Sequence, residues 1–192
     1  MPFADEVRPV AVSDYRVSWP EEFGQLADRL RGVVGHHAVA IDHVGSTSVP
    51  GLAAKDCVDV QIRVLALEPL VELLTDAGFR LRPEAWNRAE VSAGVTCPKL
   101  VFAPPVGERA TNVHVRLHDG PNARYALLFR DYLRAHDDVR DAWGAFKKRL
   151  SATVSDIFDY GQIKAPATEV LMAGAEAWVA SGGGFGFGGT QH

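Results

Sequence analysis

Two β-type runs separated by one loop of small residues are the feature that most constrains what this sequence can fold into. The first run is AVAIDHV, residues 38–44, and the second is CVDVQIRV, residues 57–64. In the second run apolar and polar residues alternate, which is typical of a strand with one buried face and one polar face. The apolar face would carry Val58, Val60, Ile62 and Val64, and the polar face Cys57, Asp59, Gln61 and Arg63. The pattern predicts a strand–loop–strand unit whose polar face is available for function.

A helix is predicted before this unit. Ser18 can cap it, Pro20 suits its first turn, and Glu21 lies three residues after Ser18, as a capping box requires. Apolar residues recur on one face at helical spacing up to Gly35, which is predicted to end the helix.

The rest of the chain adds strands first and helices last. A short helix is predicted to end at Gly78, and strands are predicted at 79–82, in KLVFAPP and in TNVHVRL. From Asn122 the chain is predicted to be mostly helical, with a last helix after Pro166. These elements predict an α+β domain in which a mixed sheet of about four or five strands is accompanied by an N-terminal helix and a C-terminal helical section.

Length and composition limit the function classes. The chain has 192 residues, which suits one domain, predicted at 1–180, followed by a flexible glycine-rich tail at 181–192. A net charge of −4 makes a nucleic-acid partner unlikely, since such proteins usually carry a basic excess. Cys57 and Cys97 are expected to be buried free thiols in a reducing compartment. With no long apolar run and no signal-peptide pattern, we expect a cytoplasmic protein without a membrane partner.

The loop between the two runs has the composition of a phosphate-binding loop. Gly45 would let the backbone approach a ligand, and Ser46, Thr47 and Ser48 would supply hydroxyl and N–H groups. Lys55 would add a positive charge, and Asp59 could hold Mg²⁺ that bridges phosphates. Spacing alone leaves open an alternative, a structural turn beside a solvated Asp59.

The run HVGSTSVPGLAAK resembles the signature of the GrpB-like family of nucleotidyltransferase-fold proteins. The resemblance extends to VSWPEEF, DVQIRV, NVHVR, LLFRDYLRAH and YGQIK, and covers roughly residues 15–180. The spacing around Lys99 and TNVHVR is similar to that in the domain appended to actinobacterial dephospho-CoA kinases. The sequence contains no Walker loop, so the kinase activity is not carried over.

The resemblance implies a nucleotidyltransferase-like core with a Gly-Ser loop for triphosphate and acidic residues for two metal ions. Gly45, Ser46 and the first acid, Asp59, match this pattern. The second acid is replaced by Gln61, and the third would fall near His114 or Arg116. Since two-metal catalysis uses several carboxylates, one Mg²⁺ at most is expected here.

Further candidates come from strands and helices beside the loop. A lone strand histidine is usually a packed residue, but His43 and His114 together with Arg116 and Arg63 suit a polyanionic small molecule. Arg130 and Arg134 are four residues apart on one helix and are either exposed ion-pair residues or cleft residues. Lys147, Lys164 and Tyr160 are weaker candidates of the same kind.

The predicted roles fall into three groups. The catalytic candidates are Asp59, His114 and Lys55, with Asp59 also as metal ligand. The candidates for phosphate or nucleotide binding are Gly45, Ser46, Thr47, Ser48, Lys55, Arg116 and Arg130. The secondary candidates are His43, Gln61, Arg63, Lys99, Arg134, Tyr160 and Lys164.

Three functional hypotheses fit these residues. The first is a nucleotidyltransferase-like protein that binds a nucleotide or phosphorylated small molecule and catalyses Mg²⁺-dependent nucleotidyl transfer or an adenylation-driven condensation. The second is a non-catalytic accessory or regulatory module that keeps the phosphate loop without the metal carboxylates. The third, ranked last, is an adapter whose helical end binds a protein partner.

Overall fold

The computed structural model describes residues 3–186, and its centre is one mixed β-sheet. The strands are β1 (Ala38–Val44), β2 (Val58–Val64), β3 (Arg80–Leu81), β4 (Ala89–Ser92), β5 (Val95–Ala103) and β6 (Thr111–Leu117). Their order is β1-β2-β6-β5-β3, and β4 pairs with β5 beside this path. Strands β2 and β6 are parallel, and the other pairs are antiparallel. The α+β class with a mixed sheet is confirmed, but the sheet has six strands instead of four or five.

Two helices cover the apolar face of the sheet. They are α1 (Trp19–Val34) and α2 (Pro69–Asp76). The apolar side chains of β2 are fully buried against them, as the alternation predicted. The sheet–helix core, as we call this cluster, is made of Leu30, Val34, Val58, Val60, Ile62, Val64, Leu70, Leu74, Phe79, Leu100, Phe102, Val113 and Val115.

Three helices form the C-terminal section on the polar side of the sheet. They are α3 (Pro121–Ala135), α4 (Asp137–Thr153) and α5 (Ile157–Ala180). Their packing creates a second cluster, the helical core, to which the loop after β1 contributes two residues. Its buried members are Val49, Leu52, Leu128, Phe129, Leu133, Trp143, Met172 and Ala175. The loop is therefore packed between the sheet and the helical section.

The predicted capping box of α1 is wrong. The Ser18 side chain makes no cap bond, and its hydroxyl instead donates to Glu22 at 2.7 Å. Ser18 has helical backbone angles, which point its side chain away from the first free N–H groups. The C-terminal stop is confirmed, since Gly35 ends α1 with φ +51°.

Two elements differ from prediction at their boundaries. Helix α5 begins at Ile157, because the Asp156 side chain accepts bonds from the N–H groups of Phe158 and Asp159. Pro166 therefore lies inside this helix and does not start it. Strand β4 was not predicted as a strand, although it forms a hairpin with β5 through Ala93 and Gly94.

Of the predicted glycine-rich tail, residues 187–192 lie outside the described residues. Within 3–186 no helix is long and apolar enough to cross a membrane. Both cysteines are free thiols. Cys97 is buried as expected, whereas Cys57 is half-buried.

Candidate functional site

The loop after β1 takes a shape that only glycine permits at its first position. Gly45 has φ +69° and ψ −169°, and a short 3-10 turn, Ser46–Ser48, follows it. A Cβ atom at Gly45 would lie 3.0 Å from Cβ and Cγ of Asp59 and closer still to a carboxylate oxygen. Gly45 therefore allows the loop to pass directly over Asp59, which explains why the two residues flank the loop.

Several predicted ligand residues hold the loop in place instead. Arg130 donates to the carbonyl oxygen of His43 at 3.2 Å, and Arg134 donates to that of Ser48 at 2.6 Å. The Ser48 hydroxyl donates to the Gly45 carbonyl oxygen at 2.6 Å. Of these residues only Gly45, through its backbone, is part of the cavity wall described below.

His43, near the end of β1, also anchors the loop. Its ring stacks on Phe23 with centroids 4.5 Å apart, and its Nε2 lies 3.0 Å from the Thr47 hydroxyl. Burial, aided by the charges of Arg134 and Arg130, lowers the pKa of His43 to about 4 against the opposing effect of Asp59. His43 is therefore neutral at physiological pH.

A cavity of about 370 Å³ lies between the loop, the polar face of the sheet and the C-terminal helices. Eight of the predicted residues other than Gly45 line it. They are Ser46, Thr47, Lys55, Asp59, His114, Arg116, Tyr160 and Lys164. Of the other polar wall residues, Asn112 and Tyr125 were not singled out from the sequence, and Lys147 was named there only as a weaker candidate. We call this cavity the polar cavity.

Lysines dominate the charge of the polar cavity. Lys147 is only 3% exposed, and its Nζ donates to the Ser46 hydroxyl oxygen at 2.8 Å. Burial and the nearby charges of Lys164 and Lys55 lower the pKa of Lys147 to about 7, while Asp59 opposes the shift. Burial and Lys55 also lower the pKa of Lys164. Lys55 itself lies over the Tyr160 ring, with Nζ 5.3 Å from its centroid.

Among the described residues that form the cavity wall, Asp59 is the one carboxylate. Burial opposes its ionisation, but His114, the Asn112 amide and the charge of Lys55 together lower its pKa. Asn112 donates to Asp59 Oδ1 at 2.9 Å, and His114 Nε2 lies 3.7 Å from the same oxygen. Burial and the charge of Arg116 lower the pKa of His114 against the opposing effect of Asp59, which favours the neutral imidazole.

Arg116 and Lys99, both predicted near phosphate, belong to a buried ion-pair network. Both donate to Glu90, Arg116 at 2.8 Å and Lys99 at 2.7 Å. Arg116 also donates to the Gln61 side-chain carbonyl at 2.9 Å, and the Gln61 amide group donates to the Ala123 carbonyl at 3.3 Å. Gln61, in the place of the second acid, therefore joins β6 and α3 to β2.

Arg63 lies on the same face of β2 but farther along the strand. It forms an ion pair with Asp42 at 2.8 Å and is not part of the cavity wall. The site is thus confined to the end of β2 that adjoins the loop.

The donor set does not fit two metal ions. No group of three or more His, Cys, Asp or Glu side chains that could hold a metal occurs within residues 3–186. Asp59 already accepts a hydrogen bond from Asn112, and the surrounding lysines repel a bare cation. A Mg²⁺ ion would need the oxygens of a bound phosphate in addition to Asp59.

Asn112 was not predicted and Lys147 was named only as a weaker candidate, for different reasons. Asn112 alternates with His114 and Arg116 in TNVHVRL, so the strand period alone could have identified it. Lys147 lies on an amphipathic helix, where lysines normally extend into solvent. Its burial depends on the docking of α4 beside the loop, which no local pattern indicates.

The sequence profile of the GrpB protein family matches residues 9–173. A dephospho-CoA kinase of Mycolicibacterium paratuberculosis is 34% identical over 210 residues, covering 95% of this chain and 52% of that protein. The chain thus spans about half the length of this curated relative. The crystal structure of conserved protein GrpB from Enterococcus faecalis has a TM-score of 0.74 at 24% identity, covering 88% of this chain and 99% of that one. Cid1, an RNA terminal uridylyl transferase, overlaps 71% of this chain and 40% of its own at 16% identity and a TM-score of 0.48.

Proposed function

This chain belongs to the GrpB family, and we propose that it binds a nucleotide or another phosphorylated small molecule in the polar cavity. The phosphates would lie between the Gly-Ser loop and the lysines. The observation that carries this proposal is the buried amine of Lys147 on the Ser46 hydroxyl.

The charges around Lys147 support an anionic ligand. Three lysine side chains converge on a cavity whose wall holds one carboxylate. Burying an ammonium group is unfavourable unless a counter-charge accompanies it, and a depressed lysine pKa reflects that cost. A phosphate group would supply the missing charge, restore the proton on Lys147 and accept hydrogen bonds from the loop.

Nucleotidyl transfer is the candidate reaction, favoured by the pairing of Asp59 with His114. An acceptor hydroxyl oxygen would attack the α-phosphorus of a nucleoside triphosphate, and its proton would pass to the His114 imidazole. The bond to the β-phosphate oxygen would break, and pyrophosphate would leave. The lysines would stabilise the charge that develops on the phosphate oxygens. Asp59 would be the residue that holds any Mg²⁺, and the ion would add to that stabilisation.

A non-catalytic accessory module is the second candidate. It is favoured by the replacement of the second acid by Gln61, whose two side-chain groups are both engaged in structural hydrogen bonds. Because one relative is a dephospho-CoA kinase, dephospho-CoA and coenzyme A are ligands to test beside nucleotides. In this case the bound ligand would regulate or stabilise a partner and would not be converted.

The binding proposal is tested by a matched pair of variants, Lys147→Met and Lys148→Met. The two lysines are adjacent in α4, but Lys148 is exposed and pairs with Asp14. We would titrate nucleoside triphosphates, dephospho-CoA and tripolyphosphate by calorimetry, with and without Mg²⁺. A lost hydrogen bond to a charged group predicts about 10- to 100-fold weaker binding for Lys147→Met, and almost no change for Lys148→Met. Equal affinities in the two variants would contradict the proposal.

The two candidates are then separated by turnover. Asp59→Asn and His114→Gln are expected to abolish pyrophosphate release from a bound triphosphate if the protein is a transferase. If the native protein binds a ligand tightly but releases no pyrophosphate with any acceptor tested, the accessory role is supported.

A further inference from the structure

A second, larger cavity adjoins the polar cavity. Its volume is about 990 Å³, and it lies between the N-terminal segment 5–11, the turn that contains Trp86, the loop 104–108 and the first turns of α5. Three residues, Lys55, Cys57 and Asn112, belong to the walls of both cavities. The two cavities are therefore adjacent, and these three residues lie at their border. We call the larger one the side cavity.

The side cavity differs chemically from the polar cavity. Trp86 and Phe158 form part of its wall and are 54% and 49% exposed, which is unusual for large aromatic side chains. Two of its three arginines are paired with carboxylates, Arg80 with Asp5 and Arg82 with Glu6, and its four acidic side chains equal its four basic ones in number. The side cavity thus offers aromatic surface and little unbalanced charge.

One buried hydroxyl adds to this picture. Thr111, at the start of β6, is 2% exposed and lines the side cavity. Its Oγ1 has no hydrogen-bond partner within the described part of the chain. Buried hydroxyl groups are normally paired, so this one has an unused capacity for a hydrogen bond.

From these observations we propose that the side cavity binds a flat heteroaromatic ring, such as a nucleobase, of the same ligand whose phosphates occupy the polar cavity. This inference rests on the proposed phosphate binding. Trp86 and Phe158 supply the stacking surface, Thr111 supplies a hydrogen bond, and the ring is linked to its phosphates past Cys57 and Asn112. The ligand is therefore a nucleotide or a nucleotide-containing coenzyme, and not a simple phosphate ester.

Size supports this division of the ligand. A cavity of about 370 Å³ is at the lower end of ligand pockets, and one of about 990 Å³ is at the upper end. A nucleoside triphosphate would place its phosphates in the polar cavity and its base in the larger side cavity. Burying the faces of an aromatic ring in the side cavity is favourable, whereas a phosphate group would lose its hydration there without compensation.

The test compares ATP, GTP, CTP and UTP with tripolyphosphate, which carries the charge without a ring. In the native protein we expect at least one nucleotide to bind more tightly than tripolyphosphate. Trp86→Ala should weaken nucleotide binding roughly 5- to 100-fold, the range for loss of a stacked base. The affinity for tripolyphosphate should not change. Thr111→Val, which removes only the hydroxyl, should reduce the preference for that nucleotide. Leu65→Ala, an exposed apolar residue outside both cavities, is the control.

The outcomes separate the two proposals. If tripolyphosphate binds as tightly as every nucleotide, or if Trp86→Ala and Thr111→Val both leave the preference intact, the ring site is refuted while phosphate binding stands. If neither tripolyphosphate nor any nucleotide binds, both proposals fail. A nucleotide preference that is lost in Trp86→Ala and unaffected by Leu65→Ala supports the ring site.

Discussion

Gly45 and Lys147 show how single residues determine this site. Gly45 brings the loop against Asp59 because it has no Cβ atom, and Lys147 reaches the loop from a distant helix. Gly45 takes a backbone conformation that would be costly for any residue with a side chain, and Lys147 carries the cost of a buried charge. Such local costs are typical of functional sites.

Gly45→Ala is expected to destabilise the protein by about 1–3 kcal/mol. Its φ and ψ lie in a region that is essentially restricted to glycine, and the new Cβ would collide with Asp59. The control is Gly24→Ala in α1, where no atom lies within 4 Å of the added Cβ, and where alanine should stabilise by about 0.5–1 kcal/mol. Urea unfolding measures both. Equal stabilities would show that the loop can move away from Asp59.

Lys147→Met is expected to stabilise the protein without ligand, and most at low pH. The unfolded chain keeps the lysine proton up to about pH 10.5, whereas the folded protein loses it above about pH 7. The unfolded state thus binds more protons between these values, so the native protein gains stability as pH rises through this window. Below pH 7 the full cost of the buried charge remains. The Tm difference between variant and native protein should be at least about 2 °C near pH 6 and shrink towards pH 10.

At the scale of elements, strands β1, β2 and β6 were predictable because their alternation or apolar content is strong. The hairpin of β4 and β5 was not, since its two-residue turn is Ala93-Gly94 and lacks the usual Asn-Gly signal. The start of α5 was missed because Pro166 resembles a first-turn proline. The residue that caps the helix, Asp156, is not followed by a strong pattern of apolar residues at helical spacing.

Ala93→Asn is expected to stabilise this hairpin. Ala93 has φ +50° and is the one non-glycine residue with positive φ within residues 3–186. Asparagine tolerates the left-handed region better than alanine, so we expect a gain of about 0.5–1 kcal/mol. Gly94→Ala, at φ +73°, should have the opposite sign. Thermal unfolding of both variants checks the prediction, and a loss of stability in Ala93→Asn would contradict it.

At the scale of the whole molecule, the polar cavity is where the sheet meets the helical section. The sequence indicated both parts and the loop, but not which side chains would meet, because Lys147 and Lys164 approach the loop from helices far along the chain. The prediction of Arg130 as a phosphate ligand and of Arg134 as a secondary candidate also depended on orientation; Arg130 donates to the carbonyl oxygen of His43 in β1, and Arg134 donates to that of Ser48 in the loop.

The coupling of loop and helical core is tested by Leu52→Ala and Leu74→Ala. Both side chains are fully buried, Leu52 in the helical core and Leu74 in the sheet–helix core. Each truncation should cost about 2–5 kcal/mol. Only Leu52→Ala should also weaken tripolyphosphate binding, because its loop carries Ser46. Calorimetry at a temperature where both variants are folded measures this, and equal affinities would argue against the coupling.

The distance along the chain between Ser46 and Lys147 has a consequence for synthesis on the ribosome. The two residues are 101 positions apart, and Arg134, which holds the loop at Ser48, follows it by 86. At about 5–20 residues per second, the loop is synthesised roughly 5–20 s before Lys147. During that interval a nascent chain has the loop and Lys55 but neither Lys147 nor Lys164. A ligand held by these contacts would therefore bind only to chains whose translation has passed α4, and would distinguish them from prematurely terminated products.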